Sequence, residues 1–496
     1  MPRFLMALDQ GTTSSRAIIF NRNCCAVATA SQTFTQHFPQ NGWVEHDPEE
    51  IFESQLTCAR RVLAEASCSP ADIAAIGITN QRETVVVWEK ESGRAIAHAI
   101  VWQCRRTAER CDALRAAGYE EMVRAKTGLP IDPYFSATKL AWLLDNTPGA
   151  RERAARGELL FGTVDCFLIY RLTGGRVHAT DPSNAARTLL FNIHTMSWDD
   201  ELLSLFNIPA AMLPQVLPSS GLFGTTDPAL LGAEIPITGV AGDQQAALFG
   251  QCCFEKGQAK NTYGTGGFLL MQTGERPIAS SHGLLTTVGW QIGKEVSYVL
   301  EGSVFICGAA IQWLRDGLGL LSSSRESEAV AASVPDTDGV YFVPALTGLG
   351  SPYWDPYARG TIVGITRATT RAHIVRATLE AMAFQTADLL EAMHRDTGFP
   401  LRTLRVDGGA SENNLLLSLQ SDLSGLTIER PACVESTALG AALLAGLGCG
   451  FYRDLSEIAA INRPEASFTP SIDEAARAKR LSAWHNAVAC ARQRIV

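Results

Sequence analysis

One pattern occurs twice in the chain and limits the folds open to it: an apolar run, a short turn rich in glycine and threonine, and a second apolar run. The first copy is FLMALDQGTTSSRAIIF, starting at Phe4, and the second is GQAKNTYGTGGFLLMQTG, starting at Gly257. The first copy predicts a β-hairpin with strands at residues 4–8 and 16–20 and a loop of about six or seven residues. The repeat indicates two related lobes that meet between roughly residues 245 and 258.

Helices and further strands surround the two hairpins. In HDPEEIFESQLTCARRVLAEA, Asp47 is a good N-cap, Pro48 suits the first helical position, and apolar residues recur near helical spacing. IAAIGITNQRETVVVWE predicts a strand, a polar turn and a strand, and IPITGVAGDQQAALFGQ predicts a strand that ends in Gly-Asp before a helix. This succession is typical of an α/β fold with a mixed sheet. The last segment of the sequence predicts a linker that contains proline, followed by a terminal helix.

The composition excludes several classes of protein. Hydrophobic residues make up 46% and charged residues 19% of the 496 residues, as in globular proteins with a substantial core. The net charge of -9 provides no excess of positive charge to bind a polyanion, so no nucleic-acid partner is expected. The longest apolar run, ALGAALLAGLGCGF, is too short and too rich in glycine for a membrane span, and it predicts a buried helix and its end. The 13 cysteines form no C-x-x-C pair, which favours a reduced, cytoplasmic protein.

The chain lacks the two commonest phosphate-binding motifs. It contains no G-x-x-x-x-G-K-[ST], and no strand is followed by a G-x-G-x-x-G that opens a helix. Three short glycine-rich turns, at residues 11–15, 264–267 and 408–410, could instead aim backbone N–H groups at an anion. Each turn alone is also explained as a simple chain reversal. Two of them follow an acid, Asp9 or Asp407, and in a two-lobed chain all three could converge on one nucleotide.

Several polar residues near strand ends have both a structural and a functional interpretation. Asp9 is either a turn-initiating residue or a metal-side acid, and Asp243 is either the N-cap of the following helix or a reacting carboxylate. For Arg82 and Glu83 the sequence favours the functional interpretation. A guanidinium donor and a carboxylate acceptor between two apolar strands together suit the binding of a hydroxylated substrate. Trp102, in IVWQCRR, is by itself explained as a core residue.

Taken together, these segments resemble the glycerol kinases, a branch of the FGGY carbohydrate-kinase family in the actin/hexokinase/Hsp70 superfamily. The resemblance runs from Leu5 to about Gly450, and it is most specific in NQRET and IVWQCRR, which separate the glycerol branch from sugar kinases of the same family. It also includes DQGTTSSRAIIF, GLPIDPYFSATKLAWLLDN, VAGDQQAALFGQ, NTYGTGGFLL, GAAIQWLRDGL, GTIVGITRATTRAHIVRATLE and VDGGASENN.

The resemblance implies an α/β fold of two lobes, each a ribonuclease-H-like (actin-like ATPase) domain, with the active site in the cleft between them. Residues 1–250 would bind glycerol and the phosphates, and residues 251–496 would bind the adenine nucleotide. The implied activity is ATP-dependent phosphorylation of glycerol to sn-glycerol 3-phosphate in glycerol catabolism, with Mg²⁺ as cofactor. A homodimer or homotetramer is the usual assembly of the family.

The resemblance also assigns a role to each matching residue. The residues implied for the glycerol hydroxyls are Arg82, Glu83, Tyr134, Asp243 and Gln244, and those for its carbon backbone are Trp102 and Phe268. The residues implied for the β- and γ-phosphates are Thr12, Thr13, Ser14 and Arg16. Asp9 would lie beside Mg²⁺ and contact it through water. The residues implied for the rest of ATP are Thr265, Gly308, Gln312, Gly409 and Asn413.

The chemistry of phosphoryl transfer agrees with these roles. A primary alcohol loses its proton as it attacks, and a carboxylate that accepts this proton typically contributes about 10²–10⁴-fold to the rate. We assign Asp243 as this base, because the rival Glu83 pairs with Arg82 and better suits substrate orientation. Two regulatory residues of some relatives are absent by alignment: Glu234 stands in place of an inhibitor-binding Arg, and Ala229 in place of a phosphorylated His.

Two other functions stay open at the level of the sequence. One is another FGGY-family kinase that acts on a pentose, a sugar acid or an alditol. The other is a nucleotide-switched binding protein of the actin or Hsp70 type, which would phosphorylate no small molecule. The residues Arg82, Glu83, Trp102 and Tyr134 favour a small triol, and Asp243 favours an enzyme.

Overall fold

The structure is a computed structural model that describes residues 2–493. Its strands are β1 (Phe4–Gln10), β2 (Ser14–Asn21), β3 (Ala26–Thr33), β4 (Glu45–His46), β5 (Ile73–Asn80), β6 (Val86–Glu89), β7 (Ala99–Ile100), β8 (Leu159–Gly162), β9 (Ala179–Thr180), β10 (Phe191–Asn192), β11 (Ser197–Trp198), β12 (Gln215–Val216), β13 (Ile237–Gly242), β14 (Ala259–Tyr263), β15 (Gly267–Gly274), β16 (Leu285–Ile292), β17 (Glu295–Val304), β18 (Tyr341–Val343), β19 (Thr361–Val363), β20 (Thr403–Asp407), β21 (Thr427–Pro431) and β22 (Pro464–Phe468). Its α-helices are α1 (Pro48–Glu65), α2 (Ala108–Ala116), α3 (Glu120–Thr127), α4 (Ser136–Asn146), α5 (Ala150–Ala155), α6 (Val164–Leu172), α7 (Pro182–Ala185), α8 (Asp200–Phe206), α9 (Pro228–Leu231), α10 (Asp243–Gly250), α11 (Gly308–Asp316), α12 (Glu326–Ala332), α13 (Arg371–Thr397), α14 (Asn414–Ser424), α15 (Ser436–Gly448), α16 (Leu455–Ile461) and α17 (Glu474–Ala491).

The first sheet is built around β1. Its strand order is β13-β5-β1-β2-β3, with β2 antiparallel to β1 and with β5 and β13 parallel to it. Alternate side chains of β1 point to opposite faces: Met6 and Leu8 join the core under α1, and Leu5 and Ala7 join the core under α15. Because helices cover both faces, the strand is a continuous apolar run and does not alternate with polar residues.

The opening hairpin is tighter than the sequence predicts. Both strands extend further toward each other, so that residues 11–13 form the whole turn. The register pairs Asp9 with Arg16, so both residues lie in the strands, where the sequence placed Asp9 in the loop. Gly11 N–H donates to the Ser14 carbonyl at 2.9 Å and closes the turn. The prediction erred because the two serines that read as loop residues belong to β2, and only the glycine and the two threonines form the turn.

The second sheet repeats the arrangement of the first. Its strand order is β16-β17-β15-β14-β20-β21-β22. Like β1, the strand β14 has an antiparallel hairpin partner on one side, β15, and a parallel strand on the other, β20. The first sheet ends in sequence at Gly242 and the second begins at Ala259. The predicted two-lobed α/β fold with mixed sheets is therefore confirmed.

The helices and strands flanking the sheets also match the predicted pattern. Asp47 caps α1, because its carboxylate accepts from the Glu49 N–H at 2.9 Å, and Pro48 is the first helical residue. The predicted strands of IAAIGITNQRETVVVWE are present as β5 and β6, but β6 pairs with β8 and so leaves the main sheet. Across residues 2–493, no helix has both the length and the apolar character that crossing a bilayer requires.

Candidate active site

Three parallel strands of the first sheet end side by side. The register aligns Gln10 of β1 with Asn80 of β5, and β13 ends beside Asn80. Asp9, Arg82 and Asp243 lie just before or just after these strand ends and therefore meet at one edge of the sheet. The Arg82 Nε atom lies 3.0 Å from Asp243 Oδ1. The carboxyl edge of a sheet is where α/β proteins commonly bind ligands.

Asp9 provides a carboxylate suited to a divalent cation. Burial raises the pKa of Asp9 to about 6; the Arg16 guanidinium opposes this rise, whereas the Glu435 and Asp243 carboxylates add to it. Magnesium typically takes one or two carboxylates together with phosphate oxygens and water, and Asp9 offers one such carboxylate. No cluster of three or more His, Cys, Asp or Glu suited to a metal occurs within residues 2–493, so phosphate oxygens or water would have to complete the shell.

The first glycine turn carries the hydroxyls implied for phosphate binding. Thr13 is exposed at the tip of the turn. The Thr12 hydroxyl accepts a hydrogen bond from the Trp102 indole Nε1 at 3.0 Å. The turn is thus joined directly to a residue implied for the substrate.

The strand after this turn reaches the second half of the chain. Ser14 begins β2, and Arg16 forms an ion pair with Glu435, the residue before α15. Ser14, Arg16 and Glu435 line one open polar cavity together with residues of β3. A phosphate that binds Arg16 would compete with the Glu435 carboxylate for the guanidinium.

Arg82 and Glu83 belong to a buried ring of four alternating charges, which we call the charge square: Arg82, Glu301, Arg187 and Glu83. Its edges are Arg82 Nη1 to Glu301 Oε2 at 2.6 Å, Glu301 Oε1 to Arg187 Nη2 at 3.2 Å and Arg187 Nε to Glu83 Oε1 at 2.6 Å. The fourth edge, Arg82 Nε to Glu83 Oε1, is 4.0 Å long. The sequence predicted a direct Arg82–Glu83 pair, but each residue has a nearer partner.

The electrostatics of the charge square follow from its burial. Burial alone would raise the pKa of Glu301, but the Arg187 and Arg82 guanidiniums outweigh it and lower the pKa to about 2. Burial raises the pKa of Glu83, and Arg187 and Arg82 oppose that rise. Glu83 also has a left-handed backbone with φ of 61°, an uncommon conformation that recurs at functional sites.

Asp243 is the first residue of α10 and is not its N-cap, which is Gly242. Its Oδ1 accepts from the Gln244 N–H at 2.7 Å, and about a third of its side chain remains exposed. The Gln244 side chain donates to Asp243 Oδ2 at 3.2 Å, and its oxygen accepts from Lys260 Nζ at 2.6 Å. Burial lowers the pKa of Lys260 to about 8, and the Asp407 and Asp243 carboxylates oppose this.

Two of the implied aromatic residues form one wall of the site. The Trp102 and Tyr134 rings meet edge to face with centroids 5.5 Å apart, and the Arg187 guanidinium lies 5.5 Å from the Tyr134 ring centroid. Phe268 comes from the other sheet: it lies on β15 opposite Thr262, whose hydroxyl accepts from Lys260 at 2.7 Å. Within residues 2–493, Phe268 forms no ring contact with Trp102 or Tyr134.

The other two glycine turns lie together at the carboxyl edge of the second sheet. The Gly308 N–H at the start of α11 donates to the Gly264 carbonyl at 2.9 Å, and the Ala309 N–H donates to the Thr265 carbonyl at 3.1 Å. A Cβ at Gly408 would lie only 2.6 Å from the Tyr263 carbonyl, so this turn packs directly on the end of β14. No atom would lie within 4 Å of a Cβ at Gly409, which leaves open space beside this backbone. Bare backbone facing space suits close approach of a nucleotide.

The remaining two residues implied for ATP lie on helices at the same edge. Gln312 is exposed on α11, one turn after Gly308. Asn413 caps α14, because its amide oxygen accepts from the Leu416 N–H at 2.9 Å. Its amide nitrogen lies 3.5 Å from the Ser327 hydroxyl. The capping role accounts for the oxygen of Asn413 and leaves the nitrogen weakly engaged.

Three charged residues at the site were not predicted from the sequence: Arg187, Lys260 and Glu301. Glu301 is a lone acid inside the apolar strand VSYVLEGSV, which is a usable signal, because a buried acid requires a partner. Arg187 and Lys260 lie in NAARTLL and GQAKNTY, where nothing distinguishes them from surface residues.

The fold and the site define a class of protein. Residues 4–250 match the model of the FGGY family of carbohydrate kinases, N-terminal domain, and residues 259–449 match that of the C-terminal domain. The chain belongs to the FGGY family of carbohydrate kinases.

The chain is similar over nearly its whole length to proteins named glycerol kinase. It is 57% identical over 486 residues to glycerol kinase 2 of Thermotoga maritima, with 98% of both chains covered. It is 58% identical over 489 residues to a glycerol kinase of Aromatoleum aromaticum, with 99% of both chains covered. The crystal structure of Plasmodium falciparum glycerol kinase with ADP superposes with a TM-score of 0.93 at 35% identity over 99% of both chains. A ligand-bound xylulose kinase of Lactobacillus acidophilus shares the fold at 22% identity, covering 98% of this chain and 96% of its own, with a TM-score of 0.86.

Proposed function

We propose that the protein transfers the γ-phosphoryl group of ATP to glycerol and forms sn-glycerol 3-phosphate. The observation that carries this proposal is the position of Asp243, whose partly exposed carboxylate lies 3.0 Å from Arg82 Nε at the edge of the first sheet. An acceptor for a hydroxyl proton thus lies beside donors for neighbouring hydroxyls. The full-length similarity to proteins named glycerol kinase supports the same substrate.

The substrate-binding part of the proposal follows from donor and acceptor chemistry. Arg82 would donate to one hydroxyl of glycerol, Glu83 would accept from another, and the Tyr134 hydroxyl can do either. Gln244 would hold Asp243 in place through its backbone and side-chain donors. Trp102 and Phe268 would pack against the carbon chain, because a triol exposes apolar C–H edges between its hydroxyls.

The chemical step requires one proton acceptor and several donors to phosphate. Asp243 would accept the proton of the attacking glycerol hydroxyl. The oxygen of that hydroxyl would form a bond to the γ-phosphorus while the bond between the γ-phosphorus and the β–γ bridging oxygen breaks, and ADP is released. The donors proposed for the β- and γ-phosphates are Thr12, Thr13, Ser14 and Arg16. Mg²⁺, when bound, would neutralise phosphate charge, and Asp9 is the residue proposed to hold it through water.

The second lobe supplies the proposed nucleotide site. We place the boundary between the lobes at residues 250 and 251, within the segment that joins the two sheets. The residues proposed to hold the rest of ATP are Thr265, Gly308, Gln312, Gly409 and Asn413. Their common edge, the carboxyl ends of β14 and β20, supports this role.

Location and assembly are part of the proposal. All 13 cysteines are unpaired, which suits the reducing cytoplasm. The family resemblance supports a homodimer or homotetramer, and light scattering of the purified protein would measure which of the two forms.

A substrate panel tests the function. ADP release is measured with saturating Mg-ATP and glycerol, xylulose, ribulose, gluconate or erythritol, and the phosphorylated product is identified by mass spectrometry. We expect glycerol to give the highest kcat/KM. Preference for a sugar or another polyol would favour a different FGGY-family activity, and nucleotide binding with no acceptor turnover would contradict the kinase proposal.

The assignment of Asp243 has its own test. Asp243→Asn keeps the shape of the side chain but removes the proton acceptor, so kcat with glycerol should fall by about 10²–10⁴-fold. Asp473→Asn, which changes a carboxylate that only caps α17, is the matched control and should keep kcat within about twofold. Glycerol turnover near the wild-type rate in Asp243→Asn would move the role of base to another residue, with Glu83 the first candidate.

A further inference from the structure

The charge square joins both halves of the chain at the proposed substrate site. Arg82 and Glu83 follow β5, Arg187 follows α7, and Glu301 lies in the middle of β17 in the second sheet. All four side chains are at most 2% exposed. Buried ions of this kind are seldom the most stable solution, since well-packed apolar residues of similar volume often replace them without loss. Their presence here calls for a reason other than stability.

Counting donors shows what Glu301 does to Arg82. Nη1 donates to Glu301 Oε2 at 2.6 Å and to Gln245 Oε1 at 3.2 Å, and Nη2 donates to Glu301 Oε1 at 3.0 Å. This two-pronged contact fixes the plane of the guanidinium and leaves its Nε toward Asp243. Among residues 2–493, Nη2 has this one acceptor, so its second N–H is available to a ligand. Without Glu301, Arg82 would be free to turn its two Nη atoms onto Asp243 and to bind the proposed base more tightly than its Nε does now.

Arg187 acts on Glu83 in the same way. Its Nε donates to Glu83 Oε1 at 2.6 Å, and no donor from the described part of the chain, residues 2–493, occupies Oε2 of Glu83. The same guanidinium lies over the Tyr134 and Phe135 rings, at 5.5 and 5.2 Å from their centroids. Arg187 therefore contacts Glu83, Glu301 and Tyr134 at once. Its position determines the geometry of two residues that are proposed to meet the substrate.

We propose that Glu301 and Arg187 are positioning residues for the polyol: they orient Arg82 and Glu83 so that one guanidinium N–H and one carboxylate oxygen face adjacent hydroxyls. This inference rests on the proposed function, since it concerns the same substrate site. It differs from a stabilising role in one measurable respect. Loss of Glu301 should weaken recognition of glycerol while leaving recognition of ATP unchanged.

The experiment compares Glu301→Gln with a matched control. Glu301→Gln should raise KM for glycerol by about 30-fold or more, because removing one partner of a buried charge pair that holds a ligand-binding group is costly. KM for ATP should stay within about twofold, since the square contacts no residue proposed for the nucleotide. Glu380 is a second buried carboxylate paired with two arginines, Arg376 at 3.2 Å and Arg480 at 2.8 Å. Glu380→Gln should change the melting temperature without changing KM for glycerol.

Three further variants complete the test. Two of them show whether Glu301 acts through Arg82, and the third gives a second test of the positioning role in case Glu301→Gln does not fold. The double variant Arg82→Lys/Glu301→Gln should have the same KM for glycerol as Arg82→Lys alone. Both substitutions disrupt the same contact, the one between the oriented Arg82 guanidinium and glycerol, so their effects should not add. Arg187→Lys keeps the charge but loses the fork, and it should also raise KM for glycerol, so it replaces Glu301→Gln if that variant does not fold.

The outcomes separate this inference from the proposed function. Wild-type protein without glycerol turnover would reject the proposed function itself. Active wild type together with an unchanged glycerol KM in folded Glu301→Gln would overturn the positioning role. An equal rise of glycerol KM in Glu380→Gln, or additive losses in the double variant, would also overturn it, since the effect would then be general destabilisation.

Discussion

At the scale of single residues, Lys139 shows how the fold holds a substrate-side residue in place. Lys139 is fully buried in α4, and its Nζ donates to three consecutive carbonyls, those of Pro133, Tyr134 and Phe135, at 2.5, 2.7 and 2.8 Å. Burial lowers the pKa of Lys139 to about 8, and the Glu83 carboxylate opposes this. The three carbonyls would have no such donor without Lys139, so it fixes the backbone that carries Tyr134.

Lys139→Met tests this role. The thioether fills similar space but donates no hydrogen bond, and each buried carbonyl left unpaired costs about 1–3 kcal/mol. The free energy of unfolding in urea should fall by about 3 kcal/mol or more, and KM for glycerol should rise because Tyr134 is displaced. Lys126→Met removes a partly exposed lysine paired with Asp199 and Glu201, and it should change both quantities little. An unchanged KM in a folded Lys139→Met protein would contradict the positioning of Tyr134.

The sequence predicts some residues of the site and not others for a physical reason. The sequence predicts Asp9 and Asp243 as site residues because each lies at the end of an apolar run. The ends of such strands meet at one edge of a sheet. Glu301 can be recognised as a buried acid that requires a partner, but the sequence does not show that this partner is Arg82, 219 residues away in the chain. The sequence therefore suggested Glu83 as the partner of Arg82 from adjacency alone. The nearer partners of both residues come from other elements.

At the scale of elements, α17 is predicted from the sequence, but its attachment is not. Trp484 stacks on Phe384 of α13 with centroids 5.1 Å apart, and its indole N–H donates to Asp388 at 2.8 Å. The same carboxylate accepts from the Tyr353 hydroxyl and lies 2.8 Å from His485 Nε2. Helical spacing predicts that α17 forms, whereas only the structure shows that the buried acid Asp388 of α13 binds Trp484 and His485 of this helix.

His485 makes this attachment sensitive to pH. The hydrogen bond to Asp388 raises the pKa of His485 above its usual value of about 6.5. The stabilising contribution is therefore fully present below about pH 6.5 and is lost as the pH rises through the folded-state pKa. The melting temperature of the wild type should exceed that of His485→Gln at about pH 6, and the difference should shrink by about pH 9. Differential scanning fluorimetry across this range measures it.

Asp388→Asn supplies the control for this pH dependence. With the carboxylate removed, His485→Gln should change the melting temperature by an amount that no longer varies with pH. A difference between wild type and His485→Gln that stays constant from about pH 6 to about pH 9 would contradict the ionic part of the attachment.

At the scale of the whole molecule, α15 connects the two halves of the chain. It follows β21 of the second sheet in sequence but packs on the first sheet and on α10. The approach is closer than side chains allow: a Cβ at Gly77 would lie 2.1 Å from the Ala441 carbonyl, and one at Gly250 would lie 2.0 Å from the Ser436 carbonyl. The apolar run ALGAALLAGLGCGF predicts a buried helix here, but not that it packs against glycines of the first half of the chain, Gly77 and Gly250.

Gly440→Ala tests whether this close packing controls activity. An added Cβ would lie 1.8 Å from the Ala246 carbonyl of α10, so α15 and α10 must separate. Alanine favours a helix over glycine by about 1 kcal/mol, but overpacking costs typically about 1–3 kcal/mol and sometimes more, so we expect a net loss of about 2 kcal/mol in unfolding free energy. Because α10 begins at Asp243, its displacement should also lower kcat with glycerol, and misplacements of about 1 Å can cost about 10²-fold.

Gly221→Ala, where the nearest atom to an added Cβ is 3.7 Å away, is the control and should leave kcat unchanged. A Gly440→Ala protein with wild-type kcat and reduced stability would show that the spacing of α15 and α10 supports the fold without positioning Asp243.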